Sequence, residues 1–445
     1  MKHFRVLPIT LAVASTLASA SVLAAETDIS ALEQRIQELE SKLVEIDYVN
    51  DQQQAVLTPD TQVPQGIIFS GYARYGAHHS SGDNRYVEVG STGRSLGRLG
   101  NEANGGEVQL AKIFQADNGA KWDLVFMVDD WNNDQWGSSG GVNLKKMYAG
   151  VTNIFESQPE LYMWAGRDFH QRPQQGLNDY FWMSHDGQGA GFNNLNLGGV
   201  KLDMGFVGAV DSEDGALGND SGRYAITSKL HGINAGIGNL DLYANYGFAS
   251  DEAGDDVKNE TAWQVGAVLG LGSSNKLVMK YADGADNSAF DLAGDKQVFY
   301  ASVEGGYKAS EQFIIDYLVS YKDISGGDVK ATNDVNADEI NKDVTEYAVI
   351  VRPQYQWDDV HSTWLEAGYA IEDYGNGDEN SGWKLTLSQN VSLGGLPWSR
   401  PMLRFYATVG DVDRNVQNFN DLGSVEVDNV TYDTVAVGAM FEAWW

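Results

Sequence analysis

TVAVGAMFEAWW, Thr434 to Trp445, closes the chain and alternates along its whole length. Val435, Val437, Ala439, Phe441, Ala443 and Trp445 share one face; Thr434, Ala436, Gly438, Met440, Glu442 and Trp444 share the other. A period of two is that of a β-strand. Two architectures accept such a strand. A soluble barrel or sandwich turns the apolar face to its core, whereas a membrane barrel turns it to lipid and places Glu442 and Trp444 toward a lumen. Alternation alone does not choose between them.

Working back from this strand, the chain from Gly66 onward is a succession of alternating segments at 66–80, 104–117, 120–130, 142–153, 160–168, 189–197, 199–213, 221–231, 237–249, 260–271, 273–284, 296–308, 310–323, 343–355, 361–374, 381–393, 398–412 and 428–445. Their number is even. The connections alternate between long (81–103, 131–141, 285–295, 324–342, 413–427) and tight (Asp117-Asn118-Gly119, Gly198, Gly272, 394–397). Antiparallel neighbours with tight turns at one rim and long loops at the other are the pattern of an outer-membrane barrel, whose closure leaves no sheet edge for lipid to meet. Parity in the first segment puts Ile67, Phe69, Ala73 and Tyr75 outward and Ser70, Tyr72 and Arg74 inward. In 398–409 it sends Leu403, Phe405, Ala407 and Val409 outward and Trp398, Arg400, Arg404 and Tyr406 inward. The fold expected is therefore all-β, an 18-stranded antiparallel transmembrane β-barrel with a short N-terminal α-helical coiled-coil segment.

Composition agrees. There are 50 glycines, 21 tyrosines, 12 tryptophans and only eight prolines, as turns and strands require. Cysteine is absent, which removes disulfides and thiolate metal sites. With 62 acidic and 30 basic residues the net charge is −32, so phosphate is repelled and nucleic acid is not an expected partner. Lys2 and Arg5 ahead of the apolar run Val6 to Ala20, with Ala24 and Ala25 following, read as an export signal over 1–25. No later apolar run approaches the roughly 18 residues of a helical span, so insertion requires strands. Ile29, Leu32, Ile36, Leu39, Leu43 and Ile46 form an a/d seam over 26–54, spaced for an associating, periplasmic coiled coil compatible with three strands. Pro59 and Pro64 mark 55–65 as a linker.

One stretch breaks the alternation. Trp164 to Gly191, WAGRDFHQRPQQGLNDYFWMSHDGQGAG, leaves a strand and loses its period for about twenty residues while keeping four large aromatics. Taken with Gly71-Tyr72-Ala73-Arg74, Arg98-Leu99-Gly100-Asn101-Glu102, Trp398-Ser399-Arg400-Pro401 and the ending Glu442-Ala443-Trp444-Trp445, it makes residues 66–445 resemble the maltoporin family of sugar-specific porins. The N-terminal seam is similar to the periplasmic extension of the related sucrose and β-glucoside porins. The resemblance implies a homotrimer of barrels in the outer membrane of a Gram-negative bacterium, each narrowed by a loop folded inward at about 168–188. It implies facilitated diffusion of maltose, maltodextrins or related glucosides along an aromatic slide.

Matched position by position, the slide falls on Tyr72, Trp398 and Trp444, with Phe181 at the constriction where the family has tyrosine. Trp136, or alternatively Trp131, matches the loop tryptophan that the family contributes across the trimer interface. The polar track falls on Arg74, Arg98, Arg172 and Asp179, with Lys145 in place of an arginine. Aromatic faces suit the C–H faces of a pyranose and charged groups suit its hydroxyls. This chain departs from the pattern after Glu102: a lumenal tyrosine is missing from the run Ala103 to Gln109, and Glu107 stands nearby. A mid-barrel slide aromatic is replaced by Leu277. No nucleophile motif is present, so no enzyme is expected. No cofactor is implied, a calcium ion in acidic loops such as Asp251, Glu252, Asp255 and Asp256 being the alternative.

Overall fold

The computed structural model describes residues 66–81, 86–131, 142–210, 221–251, 253, 257–272, 274–326, 343–374, 378–418 and 424–445. The export signal, heptad seam and linker expected over 1–65 lie outside them, as do Trp136, Glu252, Asp255 and Asp256.

The strands are β1 (Ile67–Ser80), β2 (Gly105–Gln115), β3 (Lys121–Asp130), β4 (Asn143–Thr152), β5 (Tyr162–Asp168), β6 (Gln174–Gln175), β7 (Tyr180–Phe181), β8 (Gly187–Asn196), β9 (Lys201–Gly208), β10 (Arg223–Asn234), β11 (Asn239–Ala249), β12 (Thr261–Leu271), β13 (Asn275–Asp283), β14 (Gln297–Lys308), β15 (Phe313–Ser325), β16 (Val344–Gln356), β17 (His361–Asp373), β18 (Glu379–Ser392), β19 (Met402–Asn418) and β20 (Ser424–Trp444). β6 and β7 form a two-stranded hairpin of their own, and the other eighteen make one antiparallel sheet. That sheet is closed: β1 pairs with β2, opposing Tyr72 to Glu107, and with β20, opposing Tyr72 to Trp444.

Burial chooses between the two architectures. Phe405 and Val435 are 52% and 57% exposed, while Lys280, Lys322, Lys384 and Arg404 are at most 1% exposed. In β3 the exposed set is Trp122, Leu124 and Phe126 and the buried set includes Lys121, Asp123 and Asp129. Apolar side chains face outward around the wall and charged ones face inward, the inverse of a soluble core and the arrangement that lipid demands.

Many of the interior charges among the described residues are paired, which offsets the cost of burying them. Glu366 accepts from Arg352 Nε at 2.9 Å and from Lys384 at 3.1 Å. Two loops besides the one anticipated enter the lumen. In 86–104, Val87, Val89 and Leu96 pack on Ala348, Ala370 and Val412 of the inner wall, and Leu99 packs on Trp364 and Met402. Glu366 also accepts the Leu99 N–H at 2.8 Å. Gly97 passes so close that a Cβ there would lie 2.2 Å from Glu366 Oε1. In 284–296, Asp286 is drawn in by Lys322 at 2.9 Å and Lys280 at 3.1 Å. The two lysines hold its carboxyl far below the ordinary range although burial opposes this.

Three local expectations need correction. β19 runs on to Asn418 and β20 begins at Ser424, and the two pair as far as Asn418 opposite Ser424, so described polar residues expected in a long loop over 413–427 continue the ladder. Trp398 and Arg400 precede β19, because the chain between Leu393 and Pro401 is occupied by a turn closed by Leu393 N–H to Pro401 O at 3.1 Å. Leu277 shares the outer face of β13 with Met279, and the inward neighbour is Val278, fully buried against Tyr180 and Tyr243. The outward turn of Leu277 takes it out of the lumen.

Candidate functional site

The loop between β5 and β8 crosses the lumen. His170 Nε2 lies 2.6 Å from Thr227 Oγ1 of β10, the Trp182 ring meets Tyr243 of β11 edge-on at 5.5 Å, and Gln175 donates to Ser302 of β14 at 2.7 Å. At its far end Asp179 pairs with Arg74 of β1 at 2.7 Å and with Arg98 at 3.2 Å. It is also tied to both other inward loops. Arg98 N–H donates to Leu177 O at 2.9 Å, and Tyr180 donates to Asn287 at 2.9 Å. Burial holds His170 neutral, its pKa lowered to about 4, and pushes His185 well below its ordinary range. His185 Nε2 can therefore accept the Ala289 N–H at 3.0 Å. For Asp179, burial works against the charge but Arg74 and Arg98 outweigh it, bringing the pKa to about 2.

Beside Asp179 lies Glu442, 2% exposed, with both oxygens doubly engaged. Tyr72 Oη and Arg98 donate to Oε1, each at 2.8 Å. Arg400 and Arg404 donate to Oε2 at 2.6 and 3.1 Å, and Arg404 also pairs with Glu102. Four strands or loops thus converge on one carboxylate from the last strand.

Three rings run past this cluster. Trp131 and Tyr72 have centroids 6.0 Å apart with planes 27° apart; Tyr72 and Trp444 are 6.5 Å apart at 21°. A flat ligand ring moving along them would reorient little between neighbours. Arg74 lies 5.2 Å from the Trp131 centroid, and Arg400 lies 4.3 Å from that of Trp444. Trp444 of β20 and Tyr72 of β1 stand opposite each other in register, and Trp131 follows Asp130, which aligns through Gly106 with Ala73, so the file steps across neighbouring strands of the wall.

The remaining sites fall as follows. Glu107 is buried on β2 opposite Tyr72, with no hydrogen bond or ion pair among the described residues. Lys145 reaches Asp129 at 3.4 Å. Trp398, 48% exposed, stands in the turn before β19 and makes no ring contact among the described residues. Arg172 is sandwiched, its guanidinium carbon 4.1 Å from the Phe169 centroid and 4.0 Å from that of Phe181, with Nε 3.2 Å from Asp186. One face of Phe181 is therefore covered by a cation. Phe181→Ala should raise single-channel conductance more than Trp398→Ala does, since it removes a ring from the crossing loop and frees Arg172; equal conductances in planar bilayers would contradict this.

Sequence reasoning did not assign Glu442 or Glu102 to the site, nor the inward course of 86–104 and 284–296. The available signal was two leucines, Leu96 and Leu99, inside a long loop, and the structure buries both fully.

A LamB porin family model matches residues 67–445. The chain belongs to the LamB porin family. A maltoporin of Vibrio cholerae serotype O1 is 29% identical over 423 residues, covering 85% of this chain and 95% of the relative. A maltoporin of Photobacterium profundum is 27% identical over 433 residues, covering 88% and 96%. Among solved structures, Pseudomonas aeruginosa OccD3 aligns with a TM-score of 0.48 at 9% identity, covering 88% of this chain and 95% of that one. The barrel, inverted in its polarity and matched by this family, is an outer-membrane porin.

Proposed function

We propose that this LamB-family barrel is a carbohydrate-specific channel that passes malto-oligosaccharides or related glucosides by facilitated diffusion. The observation that carries the reading is the near-parallel file at Trp131, Tyr72 and Trp444 bordered by guanidinium and carboxylate groups. Stacking supports the apolar faces of a pyranose, and the charged border supports its hydroxyls. Binding must stay shallow for release, which a file of modest contacts provides. The name maltoporin borne by the relatives makes malto-oligosaccharides the first substrates to try; sucrose and β-glucosides are the alternatives within the same chemistry. A trimeric assembly and a periplasmic N-terminal segment belong to the same proposal.

Purified protein in planar bilayers should conduct ions and be blocked reversibly by maltotriose. Tyr72→Ala should raise the half-blocking concentration about tenfold, corresponding to roughly 1.4 kcal/mol, with conductance unchanged or higher. If no oligosaccharide blocks the wild-type channel, it is a general diffusion pore instead.

A further inference from the structure

Lys322 of β15 is 1% exposed and grips two loops at once. Its Nζ donates to Ser91 Oγ at 2.8 Å, in 86–104, and to Asp286 Oδ2 at 2.9 Å, in 284–296. The same Nζ lies 5.7 Å from the Tyr180 ring centroid, in the crossing loop. Its cross-strand neighbour Glu346 accepts from Ser91 Oγ at 2.7 Å and from the Ser91 N–H at 3.0 Å. Around this point the loops are also joined to one another. Asn178 donates to Thr92 O at 3.0 Å, the Ser184 N–H donates to Asn287 O at 2.9 Å, and Lys280 donates to Asn287 Oδ1 at 2.7 Å.

This hub lies away from the ring file: on the shorter way round the wall, β16 to β20 stand between β15 and β1. Yet Tyr180 directly follows Asp179, which Arg74 and Arg98 hold from the side of the file. Consecutive residues at the tip of the crossing loop are thus drawn to two different parts of the wall. The backbone at Asp179 is in the left-handed region, with φ 54°, a conformation that a residue bearing a Cβ keeps where its surroundings over-determine it.

We propose that Lys322 is a positioning residue for the constriction: it fastens the three inward loops into one body, and that body fixes how far Asp179 stands from β1. The inference goes beyond the sugar-channel reading, since it concerns the width of the pore for any solute and is read from ionic current. A lysine that only balanced lumen charge would need one carboxylate; Lys322 takes a hydroxyl from one loop as well as a carboxylate from another.

Open-channel current noise of the full chain in planar bilayers at neutral pH tests this. Lys322→Met keeps the length of the side chain and removes its charge. It should raise the noise about fivefold, the factor by which loss of one such contact multiplies a locally open state, and Lys322→Arg should restore most of the quiet current. Ser91→Ala should raise the noise in the wild-type background and add nothing in the Lys322→Met background, because the two changes remove one contact. Asp179→Asn, which cuts the tether on the other side, should add to Lys322→Met. A Lys322→Met channel that is as quiet as wild type, whether or not its resistance to heat denaturation falls, overturns the proposal. If Lys322→Met fails to fold, Ser91→Ala and Asp286→Asn decide it: noise in their double variant below the sum of the single effects supports one hub joining two loops, and additive or absent effects overturn it.

Discussion

Glu442→Leu should destabilise the barrel by about 3–5 kcal/mol, the range for removing one partner of a buried ionic group, and should raise the half-blocking concentration of maltotriose at least tenfold. The carboxylate accepts from Tyr72, Arg98, Arg400 and Arg404, and its loss leaves three guanidiniums facing one another in a buried space. Their repulsion would spread the elements that carry them: the 86–104 loop, the turn before β19, and β19 itself. Tyr72 would lose the bond that orients its ring, and Arg400 the anchor that keeps it over Trp444. Glu442→Gln keeps two acceptor lone pairs and should fall between. Glu304→Gln makes a contrast, because this carboxylate, 10% exposed, has one cationic partner, Lys276, which is 40% exposed, and a single half-exposed pair should contribute less than a buried carboxylate bonded to three guanidiniums. Unfolding in denaturant followed by circular dichroism reads the first effect and bilayer block the second. Equal losses for Glu442→Leu and Glu304→Gln would refute the role given to the cluster.

Asp179→Asn should release the crossing loop from the wall at neutral pH, with larger and noisier single-channel currents. Wild type should show the same behaviour only in strong acid. The carboxyl has a folded-state pKa of about 2 against an ordinary 3.8, so its contribution is present above the ordinary value and lost as pH falls through the depressed one. That shift corresponds to roughly 2 kcal/mol of tethering. Current noise should thus stay flat from pH 7 to about 4 and rise between about 4 and 2, while the Asp179→Asn channel is already noisy at pH 7. A wild-type rise centred near pH 6 would place the tether on another group.

Most of the wall was legible in the sequence because lipid imposes a period of two on every strand. All eighteen strands follow from it, and Ser70 and Arg74, Glu442 and Met440, or Arg404 fall on the buried face that parity assigns. Parity failed where a strand had not begun. Trp398 and Arg400 sit in a turn, yet Arg400 still reaches Glu442, because its long side chain bridges from the turn. The family match at Leu277 fell on the outer face, one residue from the inward Val278, and one residue along a strand exchanges the faces. The interior was less legible. Loops 86–104 and 284–296 enter the lumen through contacts such as Lys384 to the Gly97 and Leu99 carbonyls, or Asp286 to two lysines on different strands. Such pairings join residues far apart in the chain and leave no periodic trace. Phe181 was legible as a ring, but its stacking on Arg172 was not, since that depends on how the loop folds back on itself.

The pairing of β1 with β20 has a consequence for how the protein comes to exist in its membrane. Tyr72 belongs to the first strand and Trp444 to the last, and they stand opposite each other across the seam where the two chain ends meet. Glu442, also on the last strand, reaches Tyr72 and Arg98 across the same seam. Until the final strand pairs with the first, neither the Tyr72–Trp444 step of the ring file nor the Tyr72–Glu442 bond exists. A chain whose last strand is not yet paired therefore lacks the Tyr72–Trp444 ring pair and the Tyr72–Glu442 bond, and both form in the same step that removes the last unpaired edge from contact with lipid.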